Sequence, residues 1–225
     1  MTSSPWPPTT QLVRTRLKFF MEIEKISPED LFADPSPVIA GLQAQSKMEG
    51  VPILNKESAR ALYQLCAIHK PHRVLELGTG LGYSACWLAC GMKQGEIHLN
   101  DYRAEYLQRA RVSLEQVNPA IGVTLFAGEA TEVLELVSSP YDLIFIDIDK
   151  VYYRKALLKA LDKLREGGLL IFDNALFSGR TFAAATSKQE GVLSIRKTIA
   201  ALQKMKFITH LWPIGDGLLV TLKDC

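Results

Sequence analysis

The sequence predicts a doubly wound α/β fold, with helices on both faces of one mostly parallel sheet of seven strands. From about residue 56 onward, short apolar runs alternate with segments whose apolar residues recur at helical spacing. Strands that alternate with helices form parallel sheets with right-handed crossovers. The last two apolar runs are separated only by Pro213–Gly217. Because that connection is too short for a crossover, we expect the last strand to be antiparallel.

The region before this alternation is predicted to contain an arm and short helices. Residues 1–10 are rich in Pro, Ser and Thr, which is typical of a flexible arm. In residues 11–45, apolar positions recur at helical spacing and prolines interrupt the pattern, which favours two or three short helices. We therefore expect a single domain over residues 11–225, with N-terminal helices in 11–55 and the α/β core in 56–225.

The periodicity of the core assigns its elements in order. Strands are predicted from short apolar runs at Arg73–Leu77, Glu96–Asn100, Val123–Phe126, Asp142–Asp147, Leu169–Phe172, Ile208–Trp212 and Gly217–Leu222. Helices are predicted from apolar residues three and four apart at Ala59–His69, Ala104–Val117, Thr131–Val137, Tyr153–Leu164 and Val192–Met205, with one more after the first strand. Ligands of such folds bind at the carboxyl ends of the strands.

The composition is that of an ordinary globular protein. The chain has 225 residues, of which 48% are hydrophobic and 22% charged, and a net charge of +2. This balance indicates neither a nucleic-acid nor a membrane-surface partner. The cysteines and histidines have no zinc-ligand spacing, and Cys86 and Cys90 favour helix packing. With no leader pattern at the N-terminus, we expect a cytoplasmic protein.

A glycine-rich turn follows the first predicted strand. Gly78, Gly80 and Gly82 would let the backbone approach a ligand closely, although a tight strand–helix turn alone could explain them. The spacing is GxGxG, and Tyr83 stands where a dinucleotide fingerprint requires glycine. This departure disfavours a nicotinamide cofactor.

Two acidic residues refine the choice of cofactor. Asp101 closes the second strand about 20 residues further on, where its carboxylate can accept both ribose hydroxyls. Glu76 lies near the end of the first strand and faces the same crevice, where an acid suits an ammonium group better than a pyrophosphate. Together these residues favour S-adenosylmethionine as the ligand.

Acidic and amide side chains follow two later strands. Asp147 ends the fourth predicted strand, and Asp173 and Asn174 follow the fifth. On adjacent parallel strands they would form an all-oxygen site that suits Mg²⁺, Ca²⁺ or Mn²⁺. The alternative, that each aspartate caps a following helix, explains either one alone but less well the pair with Lys150 beside it.

This constellation matches the needs of methyl transfer to a phenol. A phenol has a pKa near 10 and is largely protonated at neutral pH, whereas displacement at a sulfonium needs an oxyanion. A chelating metal lowers the pKa of a bound hydroxyl and orients it. Lys150 is then expected to act as the base.

From Leu54 to Lys223 the chain resembles the cation-dependent O-methyltransferases, which include catechol and caffeoyl-CoA O-methyltransferases and many bacterial relatives. The matching segments are Val51–Asn55, Glu76–Ser84, Gly128–Ala130, Phe145–Lys150 with Tyr153, Gly167–Asn174 and Pro213–Gly217. The resemblance implies a Rossmann-like class I methyltransferase fold, a vicinal dihydroxy aromatic acceptor and a homodimer.

The resemblance also implies roles for individual residues. Asp147, Asp173 and Asn174 would hold the metal, Lys150 would be the catalytic base, and Ser178 would lie near the substrate. The residues implied to bind S-adenosylmethionine are Leu54, Glu76, Gly78, Thr79, Ser84, Asp101, Ala130 and Asp149.

Three departures from the family pattern concern the substrate more than the chemistry. Ile148 stands where relatives usually have alanine, and Glu129 replaces a frequent aspartate. Thr198 and Ile199 occupy a stretch where an asparagine is usual. Three rival functions also stay open: an NAD(P)-dependent oxidoreductase, a metal-independent methyltransferase, and a non-catalytic S-adenosylmethionine-binding protein.

Overall fold

The computed structural model describes residues 33–183, 189–205 and 207–224. Residues from Ser36 onward belong to one compact unit. The predicted arm and the helices expected before residue 33 lie outside the described residues, so the predicted domain boundaries stay predictions. In the part of the chain that is described, no helix is both long and apolar enough to cross a membrane.

Strands and helices alternate through the compact unit as predicted. The helices are α1 (Pro37–Glu49), α2 (Lys56–His69), α3 (Tyr83–Gly91), α4 (Ala104–Val117), α5 (Ala130–Leu136), α6 (Tyr153–Lys163) and α7 (Glu190–Met205), and a 3₁₀ turn spans Lys150–Tyr152. The strands are β1 (Arg73–Leu77), β2 (Gly95–Asp101), β3 (Ile121–Ala127), β4 (Tyr141–Ile146), β5 (Leu164–Phe172), β6 (Ile208–Trp212) and β7 (Leu218–Leu222).

The seven strands form one sheet in the order β3-β2-β1-β4-β5-β7-β6. Strands β1 to β5 pair in parallel, whereas β7 pairs antiparallel with both β5 and β6. The predicted doubly wound α/β fold with an antiparallel last strand is therefore confirmed. Because β1 lies between β2 and β4, the chain reverses its direction of progress across the sheet there, and ligands bind at such switch points.

The side chains of each strand alternate between two cores, one on each face of the sheet. One core contains Val74 and Phe145 together with Trp87, and the other contains Leu75 and Phe172. The thiols behave as small apolar groups: Cys66 and Cys86 are buried and Cys90 is half-buried, without disulfides among them. Burial on both faces explains why the central strands β1, β4 and β5 read as continuous apolar runs, whereas the edge strands β3 and β6 alternate between partly buried and exposed residues.

Several element boundaries shift by one to three residues from the predicted ones, and two further differences have a clear physical reason. Pro37 does not interrupt a helix but begins α1, because a proline at the first helical position lacks only an N–H that the helix does not use, and Ser36 caps the helix there. Strand β5 begins at Leu164, five residues before the predicted start. Its early part contains Gly167 and Gly168, which weakened the strand pattern, but both pair with Lys223 through backbone hydrogen bonds.

Candidate active site

A cavity of about 840 Å³ opens at the carboxyl ends of the central strands. Its walls come from the loops after β1 to β5, from the β6–β7 connection and from the segment before α2. The predicted site residues that line it are Gly78, Asp101, Ala130, Asp147, Asp149, Lys150, Asp173 and Asn174. The cavity therefore brings the predicted cofactor loop and the predicted metal ligands into one site.

The other predicted site residues do not line the cavity. Leu54, Glu76, Thr79 and Ser84 are buried, and Ser178 is exposed. Their implied roles in binding the cofactor or the substrate stay predictions.

The first glycine of the loop is required by the neighbouring strand. Gly78 has φ +89°, and a Cβ atom there would lie 2.1 Å from the carbonyl oxygen of Asp147. Asp147 in turn donates its backbone N–H to Leu77. Ile148, which lines the cavity, places its Cγ2 atom 3.4 Å from the same Cβ position. Gly78 thus keeps the glycine loop against the end of β4, where the carboxylates lie.

Asp101 holds the glycine loop from the other side. Its carboxylate accepts hydrogen bonds from the backbone N–H groups of Gly80 and Arg103, both at 2.9 Å. The carboxylate is therefore fixed at the end of β2 and still lines the cavity. The predicted contact of Asp101 to ribose hydroxyls stays a prediction.

Glu76 is a fully buried carboxyl under the glycine loop. Neither of its oxygens has a hydrogen-bond partner of good geometry among the described residues, although the hydroxyls of Ser84 and Thr79 are close enough to favour its charged form. Burial dominates and raises the pKa of Glu76 to about 8. Such a group is poised to accept a cation, because a neighbouring positive charge would offset the cost of its ionisation.

The turn after β4 carries Lys150. Its Nζ atom lies 2.9 Å from Asp147 Oδ1 and donates to the Ile148 carbonyl at 3.0 Å. Asp147 does not cap a helix, because Asp149 accepts the hydrogen bond from Val151 N–H at the start of the turn. The capping alternative therefore fails for Asp147, and the predicted base lies next to the first predicted ligand.

The second carboxylate lies at the end of the neighbouring strand. Ile146 pairs with Phe172 across β4 and β5, so Asp147 and Asp173 follow partner residues. Asp173 is only 3% exposed, and its Oδ1 atom has no partner among the described residues. Burial and the negative charge of Asp147 raise the pKa of Asp173. Nor does Asp173 cap a helix, since the loop after it continues with Asn174 at φ +49°.

The donor set fits a hard cation through oxygen atoms. Within the described ranges, no group of three or more His, Cys, Asp or Glu side chains lies close enough to hold a metal ion. The predicted set contains two carboxylates and one amide, so it does not depend on such a group. An orphaned, buried carboxylate oxygen beside a second carboxylate is a place where a cation would lower the energy.

Sequence reasoning missed the part played by Asp216. The loop after Asp173 is held by the β6–β7 connection: Ala175 N–H donates to Gly217 and Leu176 N–H donates to the Asp216 carbonyl. Asp216 Oδ1 also accepts from Ser178 N–H at 2.6 Å. The sequence predicts for Pro213–Gly217 only a hairpin connection and a family motif, because this contact joins segments that are 38 residues apart in the chain.

Glu129, one of the departures from the family pattern, has a local role. It caps α5, with its carboxylate accepting from the backbone N–H groups of Thr131 and Glu132 at 3.1 and 3.2 Å. A carboxylate at a helix N-terminus stabilises the helix. The Glu129 side chain therefore caps α5, which is a role that an aspartate at this position would also suit.

Comparisons with known proteins show which family of sequences the chain is similar to. The sequence model of the O-methyltransferase family matches residues 33–224. A protein of Mycolicibacterium smegmatis that is named as an O-methyltransferase is 33% identical over 155 residues, which cover 67% of this chain and 73% of the relative.

Solved structures share the fold. A structure from Klebsiella pneumoniae, described as an O-methyltransferase, has a TM-score of 0.77 at 27% identity and covers 88% of this chain and 94% of its own. The O-methyltransferase TomG from Streptomyces achromogenes, solved in complex with S-adenosylmethionine, has a TM-score of 0.76 at 19% identity, with 87% and 93% covered. At that identity the likeness to TomG concerns the fold.

Proposed function

Because the chain belongs to the O-methyltransferase family, we propose that it transfers a methyl group from S-adenosylmethionine to one hydroxyl of a catechol-like acceptor with the help of a divalent cation. The observation that carries the proposal is the buried Asp173 carboxylate, whose unpartnered oxygen lies beside the Asp147–Lys150 pair. Both groups line the cavity that also contains the glycine loop.

The glycine-loop side of the cavity suits S-adenosylmethionine. Asp101 offers a carboxylate to the ribose, and Gly80 has open space above the position of a Cβ atom. Glu76 lies buried under the glycine loop, behind the cavity wall, where a cationic group of the donor would favour its charged form. TomG, which shares this fold, was solved with the same molecule.

The opposite side of the cavity suits a metal-bound diol. Asp147, Asp173 and Asn174 would hold the cation. When bound, it would lower the pKa of a coordinated hydroxyl. The side chain of Lys150, which is only 14% exposed, is fixed by two hydrogen bonds at the same edge. In its neutral amine form, which a nearby metal cation would favour by repelling the ammonium charge, it would receive the proton of the acceptor hydroxyl. All four residues line the same cavity, which supports a metal-bound diol with the base beside it.

The first test is methyl transfer from labelled S-adenosylmethionine to a panel of vicinal diphenols, with Mg²⁺ and again with EDTA. We expect transfer that EDTA abolishes and Mg²⁺ restores. Asp173→Asn should reduce transfer by at least about a hundredfold, because it removes a charged ligand. It should leave the protein folded, since the buried charge next to Asp147 is itself costly.

The matched control is Asp162→Asn, which changes an exposed aspartate on α6 away from the cavity. It should transfer methyl groups at the unsubstituted rate. Transfer that is indifferent to EDTA would contradict the metal role. Binding of S-adenosylmethionine without transfer to any diphenol would contradict the proposed acceptor class and leave the family assignment intact.

A further inference from the structure

We propose that Tyr153 is a positioning residue that ties the turn carrying Lys150 to the strand end carrying Asp173, so that base and metal ligand are held as one unit. This inference rests on the proposed function, because it concerns the geometry of the same site. Tyr153 does not line the cavity and is not expected to touch the substrate.

Tyr153 makes a direct bond to the second ligand. The side chain is buried, with 1% of its surface exposed, and its hydroxyl donates to the backbone carbonyl of Asp173 at 2.7 Å. Asp173 N–H donates to Ile146 at 3.1 Å, so the ladder between β4 and β5 fixes only the nitrogen side of this residue. The Tyr153 hydroxyl therefore fixes its carbonyl side, just where the chain leaves the sheet.

The ring of Tyr153 contacts the other arm of the site. Lys150 Nζ lies 5.2 Å from the centroid of the ring, which is within the range of a cation–π contact. Tyr153 is also the first residue of α6 and follows directly after the 3₁₀ turn that contains Lys150. The Tyr153 side chain thus contacts both Lys150 Nζ after β4 and the Asp173 carbonyl after β5.

The hydroxyl itself is the informative part of this arrangement. The ring packs on Phe172 at 4.9 Å between centroids, and a phenylalanine would make the same apolar contact. What tyrosine adds is a hydrogen bond to the residue that carries a predicted ligand. Groups bonded directly to ligating side chains change metal affinity by about 10- to 100-fold, and a bond to the backbone of a ligand residue should act at the lower end of this range.

The test compares Tyr153→Phe with a matched variant, Tyr141→Phe. Tyr141 is also fully buried, and its hydroxyl forms a hydrogen bond of the same length, 2.7 Å, to His98 Nδ1. It begins β4, six residues before Asp147 and about 20 Å from the site at about 3.3 Å per residue. The two variants therefore remove buried hydrogen bonds of the same length, one at the amino end of β4 and one at the carboxyl end of the neighbouring β5.

For each protein, Mn²⁺ affinity would be measured by titration followed by electron paramagnetic resonance, and S-adenosylmethionine affinity by calorimetry. Thermal unfolding and steady-state rates would be measured on the same samples. For Tyr153→Phe we expect Mn²⁺ affinity to fall by about tenfold. Its kcat should fall, while binding of S-adenosylmethionine changes less than about twofold. For Tyr141→Phe we expect a comparable loss of thermal stability and unchanged Mn²⁺ affinity.

A third variant distinguishes the loss of the Tyr153 hydrogen bond from a general change in packing. Replacing Tyr153 by 4-aminophenylalanine keeps a donor at the same position and should restore Mn²⁺ affinity. Equal Mn²⁺ affinity in Tyr153→Phe and the unsubstituted chain, or an equal loss in both phenylalanine variants, would overturn the positioning role. Failure of the unsubstituted chain to bind Mn²⁺ at all would instead count against the proposed function, which is a distinguishable result.

Discussion

At the scale of single residues, Glu76 shows a conflict between stability and binding. Its carboxyl is fully buried, and burial raises its pKa to about 8, against 4.5 for an exposed glutamate. The folded protein therefore holds this proton more tightly than the unfolded chain. The protonated Glu76 therefore contributes to the free energy of unfolding in full below about pH 4.5. This contribution falls as the pH rises and is lost above about pH 8, and the total loss has an upper limit of about 5 kcal/mol.

We therefore predict that Glu76→Gln makes the free energy of unfolding depend less on pH between pH 5 and 8. Glutamine has no charged form to bury, so the variant should gain stability relative to the unsubstituted chain as the pH rises from 5 to 8. Urea unfolding at pH 5, 6, 7 and 8 without ligand measures this difference. Affinity for S-adenosylmethionine should fall by about tenfold or more, because the variant cannot offer a charge to the donor's ammonium group.

The two readouts separate the two roles of Glu76. Parallel stability curves for both proteins across this pH range would show that Glu76 is not the group that titrates. Unchanged affinity would show that S-adenosylmethionine does not use the carboxylate, and would remove Glu76 from the predicted cofactor site.

At the scale of elements, helix α7 packs closely against the 3₁₀ turn that contains Lys150. A Cβ atom at Gly191 would lie 3.3 Å from both Lys150 Cβ and Phe177 Cε1. Ser194, one turn further on, accepts a hydrogen bond from Arg154 N–H at the start of α6. The first turn of α7 therefore supports the segment that carries Lys150 and Tyr153.

We predict that Gly191→Ala lowers kcat by about three- to tenfold with little change in thermal stability. The added methyl must push Lys150 or Phe177 by a few tenths of an ångström, and displacements of about 1 Å in a catalytic group can cost about a hundredfold. The helix itself tolerates alanine better than glycine, which offsets the crowding. Steady-state kinetics and thermal unfolding provide the measurements.

The control is Gly41→Ala in α1, where a Cβ atom would meet nothing within 4 Å. It should raise stability by up to about 1 kcal/mol and leave kcat unchanged. An unaltered kcat in Gly191→Ala, with the same gain in stability as the control, would show that α7 does not position the base.

At the scale of the whole molecule, the predicted homodimer is open to a direct measurement. The chain has a mass of 25.0 kDa. We propose that it forms a homodimer, as its resemblance to the cation-dependent O-methyltransferases implies. Sedimentation equilibrium at micromolar concentration should then give about twice the chain mass, and a single species of the chain mass would contradict the proposal.

The fold class and the chemical groups of the candidate site can be predicted from local sequence patterns. Burial on both faces of a parallel sheet requires continuous apolar strands, and helices between them require amphipathic periodicity, so both features are visible locally. The residues Asp147, Lys150, Asp173 and Asn174 were identified because strand ends converge at one edge of such a sheet. All four line the same cavity.

How those groups are held depends on contacts between distant parts of the chain. The bond from Tyr153 to Asp173 spans 20 residues, and that from Ser178 to Asp216 spans 38. The close approach of Gly78 to Asp147 joins the ends of two strands that are far apart in the chain. Such contacts depend on strand order and packing, which no local pattern encodes, because hydrogen bonds and steric limits act between neighbours in space and not in sequence.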